Sequence, residues 1–282
     1  MADRSLRLDE IGYWSEVKLD IVRKYAAAYS RIMAAPAQAR RFRGHLYIDA
    51  FAGAGIHVSK ATGEMVPGSP INALNITPRF SELHLIDLEG SRAAALQQLT
   101  AEDPRVSVYR GDCNAILLNQ VLPRCRYEDF RRGLCLLDPY GLTVNFQVLR
   151  TAGQMRSVDV FYNFMIMDAN MNVLMRDPSK VTDAQAQRMD AVWGDDSWRT
   201  VAYRKTQDLF GDRDDKVSNE EIAEAFRLRL RDVAGFAYVP QPIPMRNSKG
   251  ATVYYLYFAS PNEKGADIVA DIFNTYRSKG AM

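Results

Sequence analysis

The stretch "YIDAFAGAGI", residues 47–56, decides the fold. An apolar run of strand length ends in Asp49, then turns through Phe-Ala-Gly-Ala-Gly. Glycines at a strand exit allow a tight turn and let a ligand approach the backbone without meeting a Cβ. A nucleotide-like ligand is therefore expected. Outward from this turn, "GHLYIDAF" (44–51), "SELHLIDLE" (81–89), "RVSVYRGD" (105–112), "GLCLLDPYG" (133–141) and "SVDVFYNFMI" (157–166) read as buried parallel strands. Helical segments separate them, at 69–76, 91–99 and 113–122. Regular alternation of this kind predicts an α/β, doubly wound sheet.

The flanks fill in the plan. Residues 14–33 predict an amphipathic helix with Val17, Ile21, Tyr25, Ala28 and Ile32 on one face, Ser15 as N-cap and Pro36 beyond the end. Residues 56–68 read as irregular, and Ser69 with Pro70 as the start of the next helix. From 166 to 216 the pattern changes to helices and loops. Ser218 and Glu221 then form a capping box for a helix whose apolar face is Ile222, Phe226, Leu230 and Val233, with Gly235 at the exit. Two strands at 236–245 and 251–260 and a helix at 263–277 close the chain. The expected organisation is a helical leader (1–44), a Rossmann-like core (45–165), a helical insert or lid (166–216), and a completing unit (217–282). Within that unit, the helix at 219–233 and the hairpin after it also allow a winged-helix module.

Bulk properties set limits. The 282 residues are 47% hydrophobic and 25% charged with a formal net charge of +2, so no global field advertises nucleic acid. Cys113, Cys125 and Cys135 are too irregularly spaced for a zinc site or disulfide framework. Segments of membrane-spanning length and apolarity are not found, and "MADRSLRLDE" lacks a signal-peptide core, so a cytoplasmic location is expected.

The glycine turn discriminates between ligands. A dinucleotide fingerprint needs a third glycine and an acid about 20 residues on. Here Ile56, His57 and Val58 follow Gly55, and Asp87 lies well beyond that spacing. No Gly-Lys-Ser/Thr follows either, which excludes a P-loop. Residues 49–55 instead resemble the first motif of class I methyltransferases, which bind S-adenosylmethionine. Asp49, with Ala50, Phe51, Gly53 and Gly55, is expected at the methionine part. Asp87, with Leu88, is expected at the ribose, where Glu89 competes with it, and Asp112, with Cys113, at the adenine. All lie where open α/β sheets bind ligands, at carboxyl strand ends.

"LLDPYGL" (136–142) supplies the second chemical feature. Methyltransferases acting on nucleobase amines carry an acid or amide, two prolines and an aromatic residue here; this chain has Asp138, one proline and Tyr140. Asp138 and Tyr140 are the candidate catalytic pair, and simple turn chemistry remains open for Asp138. A cysteine nucleophile for pyrimidine C5 chemistry is rejected, because no Pro-Cys dipeptide occurs. His45, His57 and His84 are scattered and suggest no metal site. Arg40, Arg41, Arg43, Arg124, Arg126, Arg131 and Arg132 precede strands and read as solvated loops. Arg246, Lys249, Trp193, Trp198 and Arg199 are better placed to line a substrate groove, although aromatics at these spacings also suit a core.

Taken together, the leader at 14–29, "YIDAFAGAGI", "GSPINAL", "LIDLEGSRAAAL", "LLDPYGL" and "YYLYFASPNEKGADIVADI" resemble the three-Cys-motif partner protein (TcmP) family. The resemblance implies a methyltransferase-like Rossmann domain, S-adenosylmethionine binding and a three-cysteine-motif, radical-SAM-like protein as partner. It supplies no acceptor. The expected activity is methyl transfer to a nitrogen or oxygen, with a nucleic acid base favoured. A non-catalytic, cofactor-binding partner subunit is the alternative.

Overall fold

The computed structural model describes residues 9–208 and 211–279. Its centre is a seven-stranded sheet: β1 (Gly44–Asp49), β2 (Glu82–Asp87), β3 (Val106–Arg110), β4 (Arg131–Leu137), β5 (Val158–Phe164), β6 (Ile243–Arg246) and β7 (Thr252–Ala259). The spatial order is β6-β7-β5-β4-β1-β2-β3. Strands β1 to β5 are parallel, with Asp49 opposite Leu85 of β2 and Leu136 of β4. Strand β7 runs antiparallel between β5 and β6. From β1 the chain winds outward in both directions, so the order reverses between β1 and β4, and a ligand crevice is expected beyond their carboxyl ends.

Strict alternation divides the sheet's side chains into two cores. Tyr47, Leu83, Leu85, Leu134, Leu136, Phe161 and Phe258 face the helices α1 (Tyr13–Ala34), α2 (Ser69–Leu74) and α3 (Gly90–Leu99). Leu46, Ile48, Ile86, Cys135, Leu137, Val160, Tyr162 and Phe164 face the other way. Those residues pack on α4 (Cys113–Ile116), α5 (Phe146–Met155), α6 (Ile166–Asn172), α7 (Asp183–Trp193), α8 (Trp198–Ala202) and α9 (Asn219–Asp232). The closing helix α10 (Glu263–Lys279) returns to the α1 side through Val269 and Phe273. Every residue of β5 is buried, as a strand covered on both faces requires.

Several local expectations are corrected. Helix α1 starts at Tyr13 behind Gly12, not at a Ser15 cap; Val17, Ile21 and Tyr25 of the expected face are buried, joined by the stripe Lys18, Val22 and Tyr29, while Ala28 and Ile32 are only partly buried. Helix α2 is capped by Gly68, which places Ser69 and Pro70 inside the first turn. Residues 56–68 are not irregular. Ile56–Ser59 pairs in parallel with Asp9–Ile11 and antiparallel with Met65–Pro67, making a second small sheet. Residues 203–216 include a two-stranded ribbon, Tyr203–Asp208 with Gly211–Lys216. The capping box of Ser218 and Glu221 is present, but Val233 is exposed and Ala223 takes its place on the buried face. Helix α9 and the strands after it do not form a winged helix, because β6 and β7 are members of the main sheet.

Candidate functional site

The carboxyl edge of the sheet gathers the strand-end acids. Asp49 closes β1 fully buried; its Oδ1 accepts the Phe51 N–H at 3.2 Å, and its Oδ2 is buried with only the Ser69 hydroxyl near the carboxyl. Burial pushes this carboxyl up to about 7, against the opposing pull of the Ser69 hydroxyl and the Phe51 N–H. The turn that follows depends on glycine at two places, φ 63° at Gly53 and 87° at Gly55. Gly53 donates its N–H to Asp87 Oδ2 at 2.9 Å, while Asp87 Oδ1 accepts the Glu89 N–H at 2.8 Å. Asp87 thus ties the glycine turn to the end of β2. Glu89 sits at the N-cap position of α3 and pairs with Arg92 at 3.2 Å.

Asp112 caps α4, accepting the N–H groups of Asn114 and Ala115, each at 3.3 Å, and the Asn114 side-chain amide at 3.0 Å. Beyond β4, both Asp138 oxygens are held. Lys18 of α1 forms an ion pair with Oδ2, and the Asn163 amide of β5 donates to Oδ1. Burial works to lower the Lys18 pKa, but the charge of Asp138 overrides it and the ammonium is raised. The turn itself is fixed by Asp168, whose Oδ2 accepts the Leu142 N–H at 2.8 Å and pairs with Arg188 at 3.0 Å. Tyr140 is 72% exposed. Its hydroxyl reaches Asp9 at 3.2 Å, and Arg92 lies over its ring and pairs with the same Asp9 at 2.9 Å. The small N-terminal sheet therefore ends against the site.

A cavity of about 500 Å³ opens at this edge, within the range of small-molecule sites. Ala50, Phe51, Asp87, Leu88, Asp112 and Cys113 line it, and so does Tyr140. Asp49, Gly53, Gly55 and Asp138 are not among its lining residues. Next to Asp138 lies a second polar group. The Tyr254 hydroxyl and Asn163 Oδ1 are buried without a hydrogen-bond partner, and the Tyr47 hydroxyl and Asp49 Oδ2, also buried, have only the Ser69 hydroxyl near them. The two tyrosines and Asp49 lie within electrostatic reach of Asp138, and Asn163 touches it. Buried polar atoms are nearly always paired, so a group this short of partners beside one carboxylate is unusual.

Lys18, Asn163, Asp168, Arg92 and Asp9 were not legible as site residues. Only Lys18 left a signal: it opens the stripe that continues through Val22, Tyr25 and Tyr29, where a lysine is out of place unless paired. Trp193 and Trp198 are 1% and 3% exposed and packed in the core, Trp193 against Phe226; Trp198, with Arg199, also borders a cavity of about 740 Å³ beside the insert, as the sequence suggested, whereas Trp193 does not. Burial pushes the Cys113 and Cys125 thiols up to about 12 and raises Cys135 as well, which suits inert core sulfur. His45 is pushed down to about 4 by burial and bonds Ser30 at 2.8 Å. Among the described residues, no three His, Cys, Asp or Glu side chains are grouped to hold a metal, and no helix is long and apolar enough to cross a membrane.

No family model and no curated protein matches the chain. Among solved structures, protein LPL1258 from Legionella pneumophila str. Philadelphia 1 aligns at a TM-score of 0.52 and 12% identity, over 92% of this chain and 91% of that one. This likeness is one of fold. An S-adenosylmethionine-dependent methyltransferase from Clostridium acetobutylicum ATCC 824 aligns at 0.41 and 9% identity, over 87% and 91% of the two chains. The methyltransferase domain of bacterial-CtHen1-CN aligns at 0.39 and 7% identity, over 86% and 99%. The expected doubly wound, Rossmann-like sheet is the observed fold.

Proposed function

We propose that the chain is an S-adenosylmethionine-dependent methyltransferase acting on a nitrogen or oxygen acceptor, with a nucleic acid base favoured. The observation that carries this reading is the cavity at the switch point together with the buried polar group around Asp138 that is short of hydrogen-bond partners. These residues fit the cofactor. Asp49, buried and short of partners, and the turn at Gly53 and Gly55 would hold the methionine part. Asp87 would take the ribose hydroxyls and Asp112 the adenine amino group, with Ala50, Phe51, Leu88 and Cys113 as walls.

When bound, S-adenosylmethionine supplies a methyl group on an already activated sulfonium, so the protein's task is alignment. Lys18 and Asn163 fix the orientation of the Asp138 carboxylate. Each of its oxygens keeps a free lone pair to accept an acceptor N–H, which aims the nitrogen lone pair. The exposed ring of Tyr140 offers a stacking face for a base. On the same reading the chain is a member of the TcmP family and works with a three-cysteine-motif protein; the leader helix that brings Lys18 to Asp138 is one of the segments carrying that resemblance.

Calorimetric titration with S-adenosylmethionine, run beside Asp87→Ala, tests the cofactor. Micromolar binding that the variant loses is expected, and no binding by the wild type overturns the reading. Methyl transfer to candidate nucleic acids with Asp138→Ala then tests the catalytic assignment. If Asp138→Ala and Tyr140→Ala both keep cofactor affinity and biological activity, the chain is a non-catalytic subunit.

A further inference from the structure

The amino-terminal edge of the sheet, opposite the site above, holds a second cavity of about 480 Å³. Three guanidiniums line it: Arg41, Arg132 and Arg156. Arg132 is clamped between two rings, 4.4 Å from the Phe42 centroid and 4.1 Å from that of Tyr127. Its Nη1 donates to the Arg131 carbonyl at 2.7 Å, and among the described residues none of the three arginines forms an ion pair with a carboxylate. Arg156 occupies the left-handed position that ends α5, at φ 55°, where glycine is usual. Tyr29 contributes to the lining, and its buried hydroxyl has no partner.

Two acids also border this cavity. Asp159 is 6% exposed and spends its oxygens on Tyr25 at 2.7 Å and Ser260 at 2.6 Å; Glu263 is exposed at the rim. Cations outnumber acids, and the deeper acid has its oxygens occupied. Burial lowers the pKa of Arg132, and the opposing pull of Tyr127, Tyr29 and the nearby Asp159 does not make up for it, as expected for a cation with no carboxylate in direct contact. Guanidinium forks match phosphate oxygens in pairs, and an exposed ring such as that of Tyr127, at 44% exposure, can stack on a nucleobase.

We propose that this cavity is a second ligand site, taking a phosphate group carried by a nucleotide or a nucleic acid strand. Arg41 and Arg132 grip the phosphate, Arg156 closes the third side, and the base lies against the Tyr127 wall. The site is separate from the carboxyl-edge cavity and does not depend on the methyltransferase reading.

The test is calorimetry at low salt with inorganic phosphate, AMP and a short single-stranded RNA as probes, each repeated in excess S-adenosylmethionine. Arg41→Gln and Arg156→Gln are the informative variants, because both side chains are exposed and neither holds the core together. Binding of AMP that survives S-adenosylmethionine and weakens about tenfold or more in each variant is expected. Equal affinity for phosphate and AMP would assign a free-phosphate site, and tighter RNA binding would assign a nucleic acid backbone. Absence of binding to all three probes, affinities unchanged in both variants, or full displacement by S-adenosylmethionine would overturn the proposal.

Discussion

Lys18 and Asp138 lie 120 positions apart and meet as an ion pair that pins the leader helix to the carboxyl edge of the sheet. The two partners are unequally buried, with side chains 9% and 25% exposed. Their removal should therefore be unequally costly. Asp138→Asn leaves an ammonium buried without its counter-charge and should cost about 3–5 kcal/mol. Lys18→Met leaves a carboxylate with some water and the Asn163 amide, and should cost about 1–2 kcal/mol. Urea unfolding of both variants checks the asymmetry; equal losses would mean that Lys18 escapes to solvent.

Asp49 and Asp159 give stability a definite pH dependence. Burial raises them to about 7 and about 6, above the ordinary carboxyl range. The folded chain then keeps protons that the unfolded chain releases from about pH 4 upward, so this contribution is present below that pH and is lost as pH rises through 6 and 7. Asp49→Asn should be no more stable than wild type near pH 4 and more stable at about pH 8, by about 2–4 kcal/mol. Thermal melts across that range decide it, and a constant difference would reject the buried-acid account.

Two glycines should respond differently to alanine. Gly63 has φ 73° and open space around a new Cβ, so Gly63→Ala carries only the left-handed backbone cost of about 1–2 kcal/mol. Gly68 is not strained, but its Cβ would stand 2.8 Å from the Gly55 carbonyl oxygen. Gly68→Ala must displace the glycine turn, costing about 2–3 kcal/mol, and should weaken S-adenosylmethionine binding where Gly63→Ala does not. Melting and calorimetry on the two variants separate these effects.

Tyr140 should act through its ring. Tyr140→Phe removes only the 3.2 Å contact with Asp9 and should stay within about 0.5 kcal/mol of wild-type stability. It should also keep methyl transfer, whereas Tyr140→Ala should lose about tenfold or more with a base acceptor. Turnover assays of the pair test this, and equal losses would place the role in the hydroxyl.

The parallel strands were legible because they are short, largely apolar runs, four of the five closed by an acid, and the Ser218 capping box because its two partners stand three residues apart. What the sequence hid was settled by distance along the chain. The strand Asp9–Ile11 is three residues long and finds its partner at Ile56–Ser59, too short and too remote for any periodicity to announce. Asp138 could be read as a strand-end acid; that Lys18 and Asn163 occupy it could not, since both come from other elements. Trp193 looked available to a substrate only because the phenylalanines that bury it, Phe164 and Phe226, lie elsewhere in sequence.

Strand β7 is wedged between β5 and β6 although it is nearly the last element in the chain. During synthesis, β5 therefore waits with one hydrogen-bonding edge bare until Thr252–Ala259 has left the ribosome. Its seven residues are all of the kind that end up buried, and such an edge readily recruits strands from other chains. A message broken before codon 252 would thus yield a sticky fragment rather than a smaller working protein, and shortening the chain from its carboxyl end is a poor route to a minimal version.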